Sequence, residues 1–473
     1  MGRPAAIPSL TPVPAPLRRS SLETIEIIAY LLLGALLLVF RADLESLDLK
    51  DACEFTSLIA ILCSISVVRN APRGLWSPSS VFFLVLVLFH CGLVVPWALG
   101  RNPGEAIRDP MELWFFRPST VSALWLVDLA FVSFFLGSRL GSLGRIRIGR
   151  PGPADAELDG ILGVVGAVLL IGSIAMWFAL ALQSGGVGLL FGSYDRFLDA
   201  TFGSTIPHIY RTTDYGAVLL AASPPRRAHR VSVAVYAVWA LIALPLGIRG
   251  EVMFPVVTAL AVISYRRIPI RPVRTLVIAV AVLAAMAVVR NVRAVGIARV
   301  SEAQVSFDPL DGMAEMGTSL RPVEEVVFWH DMGDAFDNGA TYWAPIDRSL
   351  YYVIPGWTRL PAEEDQRILS NVVMDRAGPI GFSMIAEAYR NFAAVGVALV
   401  LGLVGWLLAR ISRWPDTRVA QCISGIVLAA MLAHVRNVFT PVPLQLAMGF
   451  ALIAAIVVVA RARSERQRRT VSR

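Results

Sequence analysis

Charge is what this 473-residue chain has least of, and within its charge, lysine. Asp, Glu, Lys and Arg together make up 16% of the residues, against 56% hydrophobic ones. A soluble domain carries about 25% charged residues, so ordinary soluble architectures are excluded. Lys50 is the one lysine, and arginine supplies almost all the rest of the basic charge behind the net +8. That bias is compositional and does not point to nucleic acid as a partner. Cysteine is also scarce: Cys53, Cys63, Cys91 and Cys422 lie in or beside apolar runs without metal-ligand spacing, and read as packing residues. No Gly-rich phosphate loop follows a strand pattern. The pair in Asp308-Pro-Leu-Asp311 is too sparse for a cation site. No metal and no cofactor is therefore expected.

What the chain does have is apolar runs, near 23–40, 53–68, 79–99, 118–140, 160–182, 205–222, 231–247, 252–265, 275–289, 379–409, 419–435 and 442–460. The reading is an all-α, polytopic integral membrane protein of about 12 transmembrane helices with one long extracytoplasmic loop. Residues 1–22, Pro-rich with Arg18 and Arg19, read as a disordered cytoplasmic tail; 23–460 form the transmembrane domain, and 461–473 a basic cytoplasmic tail. Arginine placement tests the count. With the N-terminus inside, Arg69 and Arg73, Arg145 to Arg150, Arg226 to Arg230, Arg266 to Arg274 and Arg410 to Arg418 all fall on the cytoplasmic side. A miscount by one span would have moved every later basic segment across the membrane. Both termini are then cytoplasmic, in the cytoplasmic membrane of a bacterium, and the interval 290–378 is outside.

That interval holds far more polar chain than a connection needs, which marks it as functional. It leads into Pro379-Ile-Gly-Phe-Ser-Met-Ile-Ala-Glu-Ala-Tyr-Arg-Asn391, where a helix would gather Ser383, Glu387, Arg390 and Asn391 on one side. The plain alternative is a self-neutralising Glu387–Arg390 pair at the membrane edge. Ionisable groups at that depth are more often functional. Elsewhere on the same side, Gly247-Ile-Arg-Gly-Glu251 is a tight turn that fixes Arg249 at the mouth of the bundle. Arg290 and Arg293 end the next span, and His434, Arg436 and Asn437 end a later one. Guanidinium groups at one depth suit phosphate oxygens, although arginines at helix ends also snorkel to lipid headgroups.

Together with Glu315-Met-Gly-Thr-Ser-Leu320, Gly339-Ala-Thr-Tyr342 and the run Gly381-Phe-Ser-Met-Ile-Ala-Glu-Ala-Tyr-Arg-Asn-Phe392, the turn around Arg249 resembles the O-antigen polysaccharide polymerases, the Wzy-type repeat-unit polymerases. The resemblance covers about 182–450; the first four spans are similar only in kind. One departure is Ala393-Ala394, where such proteins usually place a glycine. The resemblance implies transfer of a glycan from undecaprenyl diphosphate to a sugar hydroxyl of the next lipid-linked repeat unit, on the outer face of the membrane. The product would be a surface polysaccharide (O-antigen, capsule or exopolysaccharide). It also implies as partners the lipid-linked donor and acceptor, the bilayer, a flippase and a chain-length regulator. Arginines can stabilise a leaving diphosphate without a metal, so Arg249, Arg290, Arg293 and Arg436 take that role. The acceptor hydroxyl needs a base, and Glu387 is the candidate, with His330 and Asp331 as rivals.

Tyr389, Arg390 and Asn391 are expected to hold sugar or phosphate. Trp343, Tyr351, Tyr352 and Trp357 would stack on sugars, or simply form an interfacial belt. The acidic loop with Asp43, Asp48 and Asp51 is placed as in other polyprenyl-dependent glycosyltransferases, but lacks a supporting motif. Two other classes stand beside this reading. An O-antigen ligase-like transferase would use the same donor and another acceptor. A flippase would need repeated halves with broken spans, and no such repeat occurs.

Overall fold

In lipid, an apolar run can satisfy its own backbone hydrogen bonds only as a helix. A computed structural model describes residues 21–101, 111–143, 155–201, 206–265, 272–302, 307–351 and 354–471, and among these every apolar run is helical and no strand occurs. In chain order the principal helices are α1 Ser21–Val39, α2 Leu49–Asn70, α3 Pro78–Cys91, α4 Ser119–Gly141, α5 Asp155–Gly185, α6 Ile206–Ala222, α7 Arg227–Ala243 and α8 Arg249–Ser264. They continue as α9 Pro272–Val295, α10 Pro309–Met316, α11 Leu320–Asp331, α12 Ala340–Leu350, α13 Leu369–Ala377, α14 Met384–Ile411, α15 Arg418–Arg436 and α16 Val442–Val471. All except α10 to α13 fall on the apolar runs of the sequence. Among the described residues, seven are long and apolar enough to cross a membrane. Leu36, Ile61, Val168, Leu399 and Val458 are exposed on these helices, as are Leu241 on α7 and Ile278 on α9. Large apolar side chains turned outward in such number mark a surface that meets lipid rather than water.

Because lipid tails are as apolar as leucine, helices in a bilayer associate through close packing at small residues. The most extensive contact joins α4 to α14. A Cβ on Gly137 would stand 1.9 Å from the carbonyl oxygen of Gly402, and one on Gly405 2.2 Å from that of Phe134. The two backbones touch there. Phe82, Phe83, Phe131, Phe134 and Phe135 fill the space beside this seam. The result is a rigid base for α14, the helix that carries Glu387.

The basic connections meet at one end of the bundle. Arg73 pairs with Asp416 at 2.9 Å, Arg410 donates to the carbonyl of Leu143, Arg413 to that of Ser142, and Arg418 pairs with Asp159. The start of α8, the end of α9, the start of α14 and the end of α15 meet at the other end; Arg145, Arg147 and Arg150, with Arg266, Arg267 and Arg271, lie outside the described residues. Residues 1–20 lie outside the described residues, and with them the N-terminal tail expected from composition. At the C-terminus α16 runs on to Val471, so most of 461–473 is helix.

Among the described residues, the long interval 290–378 is built largely of short helices packed on the bundle. Leu320, Val323, Val326 and Val327 recur at helical spacing and are fully buried with Met316, Leu369 and Val373 in the main core. The backbone of Gly312 lies against the carbonyl of Leu283 in α9, and that of Gly317 against Gly92 and Leu93. One expectation needs correction: the run 379–391 is not helical throughout. Its helix starts at Met384, where the Ser383 hydroxyl accepts from the N–H of Ile385 at 3.2 Å. Just before it, the N–H of Phe382 is taken by the carbonyl of Arg436 at 2.9 Å. After Asn391 the helix breaks at Phe392 and Ala393, the latter at φ 55°.

Candidate active site

Ser383, Glu387 and Asn391, each four residues apart, share one face of the first two turns of α14, and all three are fully buried. Thr341, at the start of α12, donates its hydroxyl to Glu387 Oε1 at 2.8 Å. Asn391 donates to that same Thr341 oxygen at 2.7 Å and to the Glu387 carbonyl at 2.8 Å. The other carboxylate oxygen, Oε2, accepts the backbone N–H of Phe439 at 2.7 Å and lies 3.3 Å from His434 Nε2. A buried carboxyl group with this many donors is held in a fixed orientation. One face of His434 is thereby anchored.

Arg390 leaves in another direction. Its Nε donates to Asp337 at 2.8 Å and an Nη lies 3.3 Å from Asp334, with the guanidinium over the ring of Trp329. The self-neutralising pair with Glu387 is not formed, because a residue three positions on faces a different neighbour once the helix is packed on both sides. Arg376 also pairs with Asp334 and holds its carboxyl below the usual range, whereas burial pushes Asp337 up in spite of Arg390. Tyr389 belongs to this second cluster, with its ring edge-on to His330 and Phe336. His330 donates through Nδ1 to the carbonyl of Asp334 at 2.7 Å, and Asp331 is exposed. The structure therefore separates Tyr389, Arg390, His330 and Asp331 from the face that carries Glu387 and Asn391.

The arginines expected at one depth do converge. Arg249, the first residue of α8, is 3% exposed and reaches Glu315 Oε1 at 2.5 Å, with a second contact to the Glu315 carbonyl at 3.3 Å. Arg290 and Arg293, a turn apart at the end of α9, each stand 3.4 Å from the same carboxylate. Burial raises the Glu315 carboxyl, but Arg249, Arg293 and Arg290 overcome that and hold it below its ordinary value. Gly247 takes φ 78° to turn the chain into α8, and a Cβ there would strike Tyr194, whose ring lies under Arg293. Glu315 faces three cations, and with Asp311 acting on Arg290 as well the positive charge still exceeds the negative. Arg436 adds to it: half-buried, it has no carboxylate within ion-pair distance among the described residues.

A cavity of about 610 Å³ joins these parts. Gly247, Ile248, Gly250 and Glu251 around Arg249 form one wall, and His434, Arg436 and Asn437 another; Pro379, Gly381 and Phe382 close a third. His434 lines it and Glu387 stands behind His434. Trp343 and Tyr351 are exposed away from this cavity, Trp357 donates to Asp347, and Tyr352 lies outside the described residues. Asp43 sits in the chain's first connection, Asp48 caps α2 by accepting from the N–H of Asp51 in its first turn, and Asp308 likewise caps α10. Among the described residues no cluster of His, Cys, Asp and Glu could hold a metal ion.

Sequence reasoning alone did not assign His434, Thr341 or Glu315 a role. Two of them stood in the quoted motifs, Thr341 in Gly339-Ala-Thr-Tyr342 and Glu315 at the head of its own, and His434 stood two residues from Arg436. The Phe439 N–H has no signature in a sequence.

The sequence profile of the family described as "O-antigen polysaccharide polymerase Wzy" matches residues 24–466. A relative from Staphylococcus aureus, "Protein CapE", is 27% identical over 373 residues, covering 77% of this chain and 80% of its own length. No solved structure matches the chain.

Proposed function

Because the chain belongs to the O-antigen polysaccharide polymerase family, we propose that it extends a glycan by joining repeat units carried on undecaprenyl diphosphate, at the outer face of a bacterial cytoplasmic membrane. The observation that carries this reading is the cavity, which brings the surroundings of the arginine cluster and the Glu387–His434 pair to one space. In the transfer, the acceptor hydroxyl oxygen bonds to the anomeric carbon of the donor glycan. The bond from that carbon to the diphosphate oxygen breaks, and the lipid diphosphate leaves with the bonding pair. Arg436, with the positive excess around Arg249, Arg290 and Arg293, stabilises the charge that develops on the leaving group. The hydroxyl proton goes to His434, because His434 borders the cavity. Glu387 orients the imidazole and stabilises its charged form, a division of labour familiar from other carboxylate–histidine pairs. A flippase that delivers the units and a regulator of chain length are the partners this activity calls for.

The test is Glu387→Gln in purified protein supplied with lipid-linked repeat units. The amide can still accept from Phe439 N–H and meet the Thr341 hydroxyl, so folding and substrate binding are retained. The charge facing His434 is lost, and elongation falls by about a hundredfold or more. Glu387→Asp recovers part of it, as a merely structural residue would not under unchanged binding. Elongation by Glu387→Gln at near the wild-type rate would remove this pair from the mechanism.

A further inference from the structure

One wall of the cavity has no part in holding a diphosphate or moving a proton. Asp214 on α6 is 8% exposed and borders the cavity; its one hydrogen-bond partner among the described residues is Gln445 Nε2, at 3.5 Å, on the first turn of α16. Gln445 is 2% exposed. Arg211, one turn from Asp214, and Glu251, on the first turn of α8, border the same space, and neither has an ion-pair partner among the described residues. An aspartic side chain that borders the cavity with one long hydrogen bond keeps acceptor capacity for a ligand there. Phe254 and Tyr194 supply apolar ring surface alongside.

Carboxylate, amide and guanidinium groups around a space bounded by aromatic rings are the chemistry that holds a pyranose: paired acceptors for adjacent hydroxyls, a donor for ring or hydroxyl oxygens, and a flat face for the C–H bonds. We infer that Asp214, Gln445, Arg211 and Glu251 form a sugar subsite for the residue that enters the cavity on its lipid diphosphate. Acceptors in this number favour a sugar rich in O–H or N–H donors, a neutral or acetamido hexose. The subsite rests on the proposed reading of the cavity as the place where a lipid-linked glycan binds, and it makes that cavity select the sugar as well as the lipid.

The experiment uses the full chain in nanodiscs and two probes: undecaprenyl diphosphate without sugar, and lipid-linked repeat units extracted from cells that lack this protein. Asp214→Asn and Gln445→Leu are each expected to weaken binding of the lipid-linked unit about tenfold, the worth of a hydrogen bond to a charged group, and to leave binding of the bare diphosphate unchanged. Unchanged diphosphate binding also shows that each variant is folded. Equal loss of both probes, or no loss of either, overturns the sugar subsite while the diphosphate reading stands. A wild-type protein that binds neither probe removes the diphosphate reading, and the subsite with it.

Discussion

Arg249 has almost no water with which to share its charge, and its Nε is buried without a hydrogen-bond partner. Its worth therefore depends on geometry, namely the fork that engages both the carboxylate and the carbonyl of Glu315. Lysine would keep the charge and lose the fork. Arg249→Lys is expected to lower elongation at least about tenfold with normal protein abundance, and Arg249→Ala to abolish it, read in the same purified assay. A second residue makes stability depend on pH. Glu324 on α11 is fully buried, and burial pushes its carboxyl up to about 7 although Ser119 donates to it at 2.5 Å and Arg117 stands 3.5 Å away. An acid raised in the folded protein binds more protons folded than unfolded. Its contribution is complete below the ordinary carboxylate range and is lost as pH rises through about 7. Thermal unfolding should thus move to lower temperature between pH 5 and 8, and Glu324→Gln should flatten that slope.

At the scale of elements, the break in α14 is the instructive case. Ala393 stands at φ 55° and ψ −154°, a region that costs a residue with a Cβ about 1–3 kcal/mol and suits glycine. Ala393→Gly should raise the unfolding free energy by about 1 kcal/mol, after the extra freedom of an unfolded glycine is subtracted, and shift the melting temperature upward. The helices themselves were legible, since each apolar run carries at least one, and so was the convergence of Arg249, Arg290 and Arg293. Their common partner Glu315 was not, because a glutamate in a short polar helix looks solvated until that helix is packed on α9. Glu387 was legible as a buried carboxylate, whereas the direction of Arg390 was not. Periodicity places a residue on a helix face but does not say whether that face is opposed by Thr341 or by Asp337.

Taken as a whole molecule, the two ends of the bundle differ, with arginine-rich connections at one and the cavity at the other. The orientation proposed here is checked with cysteine labelling, and the native cysteines give little background because all four are buried. Ala335→Cys, exposed near the cavity end, should react with a membrane-impermeant thiol reagent in intact cells; Pro225→Cys, exposed between α6 and α7, should not. The reverse pattern would place the cavity inside the cell.

Two walls of the cavity are built from short helices. Ile206–Ala222 and Arg249–Ser264 have 17 and 16 residues, a rise of about 24–26 Å at 1.5 Å per residue, against about 30 Å of hydrocarbon in a typical bilayer. Both are packed almost wholly against other helices, Val256 being the one large apolar side chain of the two that is exposed among the described residues. Their shortness therefore makes a recess within the protein and not a thinning of the bilayer.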